Sequence, residues 1–164
     1  MTRERRADIV VVDGTHYDTT TGTGRSLVFG DRSGENELSP VETIVAALAA
    51  CSAMDVSSIA AKKRQAIDRY EVHAVGLQRD AYPQVLTEVT VTHEVWGTDI
   101  SETGIRRCIE LSATKYCPVN AMVSAGATVV HHRYRIHSTG ATPHETDGLV
   151  ISTGPYRRPD ILGE

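Results

Sequence analysis

A chain of 164 residues and 17.8 kDa has the size of one domain, and it can bury roughly 70% of its unfolded surface without disulfides or metal. Hydrophobic residues make up 40% and charged residues 23%, and 17 Lys and Arg against 21 Asp and Glu leave a net charge of −4, which argues against a nucleic-acid partner. No uninterrupted run of eighteen apolar residues is apparent, so no membrane association is expected.

The start, Met1 to Asp8, is charged and is not followed by the apolar segment of a secretory signal, which predicts a cytoplasmic protein. Ile9 to Val12 reads as a strand ending at the turn signal Asp13-Gly14. Thr19 to Gly24 reads as a loop and Ser26 to Phe29 as a second strand. Ser39-Pro40-Val41-Glu42 then combines an N-cap, a first-turn proline and a glutamate three residues after the cap. An alanine-rich helix is expected from Val41 to about Ala66, with Ile44, Leu48, Cys51 and Asp55 at helical spacing. Lys62, Lys63 and Arg64 suit its C-terminal dipole.

Tyr70 to Leu77 and Val85 to Trp96 read as strands, the second with Val85, Thr87, Val89, Val91, His93 and Val95 on one face. A second helix is expected from Ser101 to about Thr114. It is broken at Tyr116-Cys117-Pro118, because the residue before proline disfavours helical geometry. A short third helix follows to about Ala125, and Thr128 to His137 reads as a strand. Beyond Thr139 only a weak strand at Leu149 to Ile151 is expected.

Three cysteines, an odd number, do not form a secreted disulfide framework. Cys51 lies on the apolar stripe of its helix, where a small core hydrophobe is the bland reading. Asp55, one turn on, must be paired if buried, and its charge would oppose a thiolate. Cys117, as N-cap before Pro118, faces unpaired N–H groups that favour a thiolate, or it simply stands where serine would cap. Cys108 reads as core. The histidines at 16, 73, 93, 131, 132, 137 and 144 show no metal-ligand spacing, and His131 and His132 must point to opposite faces of a strand, so no metal is expected. No phosphate loop or dinucleotide fingerprint occurs, so no cofactor is expected.

Leu38 to Val56, centred on Ala49-Ala50-Cys51-Ser52-Ala53-Met54-Asp55, resembles the central helix of the OsmC/Ohr family. Tyr116-Cys117-Pro118-Val119-Asn120 resembles its second cysteine motif, and Asp55 four residues after Cys51 is similar to the OsmC-like branch. The resemblance implies an α+β fold, with two antiparallel sheets around central helices in an intertwined homodimer. It assigns residues 1–138 to that domain and leaves 139–164 as an extension, partly disordered or packed on a partner subunit. It further implies a peroxidase for organic hydroperoxides in oxidative stress defence. Cys51 would become a sulfenic acid, Cys117 would resolve it to a disulfide, and an external thiol or dithiol would reduce the pair.

One departure bears on activity. Classical members carry a glutamate directly after the helix-starting proline, paired with an arginine that supports the thiolate. Here that position is Val41, and Glu42 comes one residue later, turned by about 100°. Glu42 also precedes Cys51 by about 13 Å of helix. Arg25 and Arg32 are the candidate cations. Without one, a thiol on an apolar stripe has a raised pKa and reacts slowly. The alternative is a small-molecule-binding or redox-sensing dimer of the same fold, with little turnover.

Overall fold

The computed structural model describes residues 3–31 and 36–154. The chain divides into two compact units, Met1–Ile44 and Val45–Glu164. The first holds an antiparallel meander of β1 (Ala7–Val11), β2 (His16–Thr21) and β3 (Ser26–Gly30). β2 occupies part of the stretch expected to be a loop. Its sequence, HYDTTT, alternates in no apolar pattern, and it becomes a strand because both its edges are paired. The four apolar residues Ile9 to Val12 are 56–63% exposed.

Helix α1 spans Pro40–Lys62. At its start the Ser39 N–H donates to the Glu42 carboxylate at 3.3 Å, the reciprocal arm of a capping box. It ends four residues earlier than the composition predicts. The Gln65 N–H bonds the Ala60 carbonyl, the Arg64 N–H bonds the Ala61 carbonyl, and Arg64 turns left-handed at φ 55°. That is a Schellman closure, here with arginine in place of the usual glycine. By length and composition α1 also meets the requirement for a membrane span, with a mean hydropathy of 1.8 over eighteen residues, because alanine counts as apolar. Its buried residues Leu48, Ser52, Val56 and Ala60 follow an i, i+4 row that faces the core of the second unit.

That core is built on a four-stranded sheet, β4 (Ile67–Gln78), β5 (Leu86–Thr98), β6 (Val129–Thr139) and β7 (His144–Thr153), in that spatial order. The expected antiparallel pairing holds for β4–β5 and β6–β7, whereas β5 and β6 run parallel. The helical crossover between them permits this, since parallel neighbours need a long connection. On β5 the residues Val89, Val91, His93 and Val95 are wholly buried, but Val85 and Thr87 leave that face at an irregularity near Leu86. At Gly97 a side chain would run into the Ala66 carbonyl, which accepts from the Thr98 N–H at 3.2 Å. β7 is ten residues long rather than three. Its polar sequence, HETDGLVIST, hides a strand whose register is fixed by β6.

Helix α2 (Glu102–Leu111) is capped by the Ser101 hydroxyl, which accepts from the Gly104 N–H. Ile105, Cys108 and Ile109 from α2 join Val56, Ala60, Val95, Ile100, Tyr134 and Ile136 in one cluster. Cys108 is completely buried there, and burial pushes its thiol pKa up. A single π turn, Ser112–Tyr116, follows α2, and α3 (Pro118–Ser124) begins directly after Cys117.

Candidate active site

Cys51 and Cys117 meet in the second unit. Cys51 lies at the edge of the buried row of α1 and is half-buried. Cys117 is 3% exposed and caps α3, its sulfur accepting from the Asn120 N–H at 3.2 Å. The local sequence builds this cap: Pro118 fixes the first helical turn and keeps Cys117 extended, at φ −72° and ψ 104°. On the other side the Cys117 N–H closes the π turn onto the Ser112 carbonyl at 2.9 Å. Such turns concentrate at functional sites because they re-aim the chain.

The two sulfurs are 2.7 Å apart, with Cys117 donating to Cys51, and both thiols are free. Asp55 completes the group: its carboxylate and the two sulfurs lie within 4.8 Å of one another. The Ser112 hydroxyl donates to Asp55 Oδ2 at 3.1 Å, which answers the need of a half-buried carboxylate for a partner. Two cysteine sulfurs and a carboxylate are ligand types that zinc accepts. Two sulfurs sharing one tetrahedral zinc, however, sit about 3.8 Å apart, so this contact fits sulfurs close to bonding better than sulfurs spread around an ion.

Of the two readings open for Cys117, the proton-holding cap is the one its surroundings favour, because the N-cap position does not make it a thiolate. Burial, the hydrogen bond to Cys51 and the nearby Asp55 charge raise its pKa and outweigh the Asn120 N–H. Cys117 therefore holds its proton, and the Cys51 sulfur is the acceptor.

Of the supporting candidates, Asp55 belongs to the cysteine cluster. Glu42 is held by the Ser39 N–H in the first unit. Arg25 is exposed in the β2–β3 turn, where its backbone pairs with Thr21. Arg32 lies outside the described residues.

Leu48 and Met54, both within four residues of Cys51, do not line a common niche beside it. Leu48 is fully buried in the core and Met54 is 74% exposed, because the inward row of α1 passes through Leu48 and Ser52. An open depression of about 230 Å³ lies beside Asp55, lined by Asp55, Ser58, Ile59, Lys62, Leu111 and Tyr116. Lys62, whose charge also suits the C-terminal dipole of α1, brings it a cation.

Behind the cysteines runs a set of buried polar side chains with no sequence signature beyond the histidines themselves. The Ser52 hydroxyl lies 3.4 Å from Ser112 Oγ and 3.3 Å from His93 Nε2. His93 Nε2 is 3.4 Å from His132 Nδ1, and His132 Nε2 is 3.1 Å from Asn120 Oδ1. Asn120 Nδ2 donates to the Ala113 carbonyl at 2.7 Å, which fixes the amide orientation. Asn120 Oδ1 can only accept, so His132 carries its proton on Nε2 and accepts at Nδ1. His93 then carries its proton on Nε2, shared between His132 Nδ1 and the Ser52 hydroxyl, and accepts the Tyr70 hydroxyl at Nδ1, 2.5 Å away. Burial pushes His93 down to about 3, with His132 adding to it, and His132 down to about 4, with His131 adding to it. Both rings are neutral. His131 faces the other way and bonds Ser152 Oγ at 2.6 Å.

A model of the OsmC-like protein family matches residues 32–144. Protein YhfA of Escherichia coli K12 is 30% identical over 126 residues, covering 77% of this chain and 94% of its own. A hypothetical protein from Aquifex aeolicus superposes with a TM-score of 0.74 at 21% identity, over 84% of this chain and 99% of that one. An organic hydroperoxide resistance protein OsmC from Legionella pneumophila shares the fold at a TM-score of 0.59 and 12% identity, over 83% and 98%. With the family match covering most of the chain and the α+β fold in agreement, this protein belongs to the OsmC-like family.

Proposed function

We propose that the protein is a two-cysteine peroxidase that reduces organic hydroperoxides in oxidative stress defence, in the cytoplasm. The observation that carries this reading is the unequal sulfur pair: a buried protonated Cys117 donating to a more accessible Cys51 at 2.7 Å. The Cys51 sulfur attacks the terminal peroxide oxygen. An S–O bond forms, the O–O bond breaks, and the alkoxide takes the Cys51 proton to leave as an alcohol. Cys117 then attacks the Cys51 sulfenic acid. An S–S bond forms, the S–O bond breaks, and the hydroxyl leaves as water with the Cys117 proton. Asp55 is suited to carry that proton between the two groups. An external thiol or dithiol returns two electrons and two protons, so no cofactor is required.

The test is turnover of cumene hydroperoxide with dithiothreitol as reductant. The wild type should consume many equivalents, with hydrogen peroxide reduced more slowly. Thiol oxidation that stops after one equivalent would favour the redox-sensing alternative.

The functional unit is proposed to be a homodimer. Ile9 to Val12 on and just after β1, Met54 on α1 and Met122 on α3 are all more than half exposed, and a second copy would cover such apolar surface. Light scattering should give twice the chain mass for the wild type and a shift toward monomer for Met54→Glu. A monomeric wild type at micromolar concentration would contradict this.

A further inference from the structure

The hydrogen-bonded side chains behind the cysteines join the two redox elements through the core. Ser52 follows Cys51 directly on α1, and Asn120 is the residue whose N–H bonds the Cys117 sulfur. Between them lie only His93 on β5 and His132 on β6, and all four residues are completely buried. Asn120 is also tied to the Ala113 carbonyl and to Thr153 on β7. Tyr70 on β4 saturates the far side of His93, and the three rings of Tyr70, His93 and His132 lie nearly parallel and edge to edge, with neighbouring centroids 6.0 and 5.7 Å apart.

Two buried neutral imidazoles cost stability relative to aliphatic side chains unless every polar atom is matched. Here they are matched, from Tyr70 to His93 to His132 to Asn120, with the Ser52 hydroxyl sharing the His93 Nε2 proton. Packing alone does not require this arrangement, since Val91 and Val95 flank His93 on the same face of β5.

We propose that Ser52, His93, His132 and Asn120 are positioning residues, a buried bridge that ties the helix carrying Cys51 to the helix capped by Cys117 and sets their sulfur contact. Neither histidine touches a sulfur. Each acts through Ser52 or Asn120. The bridge rests on the reading that Cys51 and Cys117 form a redox pair. It makes disulfide formation favourable by holding two otherwise separate elements at bonding distance, so its loss lowers the effective concentration of one thiol at the other.

The thiol–disulfide equilibrium of the full chain against reduced and oxidised dithiothreitol at pH 7 tests this without peroxide. Dithiothreitol supplies or takes both electrons and both protons. His132→Leu removes the donor to Asn120 and should weaken the Cys51–Cys117 disulfide at least about tenfold, which is about 30 mV toward easier reduction. His132→Gln keeps an N–H at the Nε2 position and should stay within about threefold of wild type. Ile105→Val, destabilised in the same core but off the bridge, should not shift the equilibrium. Ser52→Ala, a smaller change, should shift it in the same direction as His132→Leu and decides the matter if His132→Leu does not fold, provided that Ser112→Ala, which removes the other partner of Ser52, shifts it less.

An unshifted potential in His132→Leu, or in Ser52→Ala where the former is unfolded, overturns the bridge. So does an equal shift in Ile105→Val or, where Ser52→Ala decides, in Ser112→Ala. A wild type that forms this disulfide with oxidised dithiothreitol but not with hydroperoxide would remove the peroxidase reading and leave the bridge standing.

Discussion

Between pH 7 and pH 5 the protein is expected to lose about 4 kcal/mol of folding stability, from His93 and His132 together. Each is fully buried and neutral in the folded chain, with its pKa depressed to about 3 and about 4. In the unfolded chain each titrates near the ordinary 6.5. Below that value the unfolded state binds protons that the folded state refuses. The stability these groups contribute is therefore complete above pH 6.5 and falls as the pH drops toward 4. At pH 5 each has lost about 1.5 units of pH, or about 2 kcal/mol. Domains of this size are stable by about 5–15 kcal/mol, so the loss is a large fraction of the total.

His137 and His16 work in the opposite sense. Carboxylates raise their pKa values: Glu94 and Glu145 for His137, Glu37 and Asp18 for His16. Both lie near the surface, where such pairs add little. Urea titrations at pH 7, 6 and 5 check the prediction. Replacing His93 or His132 with Gln should remove about half of the pH dependence. A free energy of unfolding that is flat over this range would show that the imidazoles are not held neutral.

The second large effect separates the two cysteines. Cys51→Ser should reduce hydroperoxide consumption by about 10³-fold or more, as loss of a covalent nucleophile does elsewhere. Cys117→Ser should leave the first oxidation of Cys51 nearly intact and stop the second step. Sulfenic acid then persists and, with excess hydroperoxide, advances to the sulfinic acid. Rapid-mixing kinetics with a sulfenic-acid trap resolves the two steps. If Cys117→Ser instead abolishes the first step, Cys117 is the attacking sulfur and the roles are reversed.

The parts of this site visible in the sequence are those written in adjacent residues. The capping pattern of Ser39 to Glu42 and the Cys117-Pro118 junction are local chemistry, and the structure has a helix starting at each. The inward face of β5 from Val89 to Val95 follows from strict alternation. What stayed hidden depends on partners far along the chain. β2 and β7 are polar segments that become strands through pairing, so no periodicity marks them. From its neighbours alone Cys117 reads equally as an activated or a plain cap, and burial, Cys51 and Asp55, the last two more than sixty residues earlier, favour the protonated thiol. The bridge is the extreme case. His93 occupies an inward position among valines, and His132 was separated from His131 by strand geometry. Their contact requires the parallel pairing of β5 with β6.

The mass of the full chain after one equivalent of cumene hydroperoxide, with the peptides mapped without reduction, addresses the central claim most directly. The account predicts a loss of two hydrogens, carried entirely by a Cys51–Cys117 crosslink with Cys108 still a thiol. Free thiols at Cys51 and Cys117 after many minutes, or a crosslink through Cys108, would contradict it.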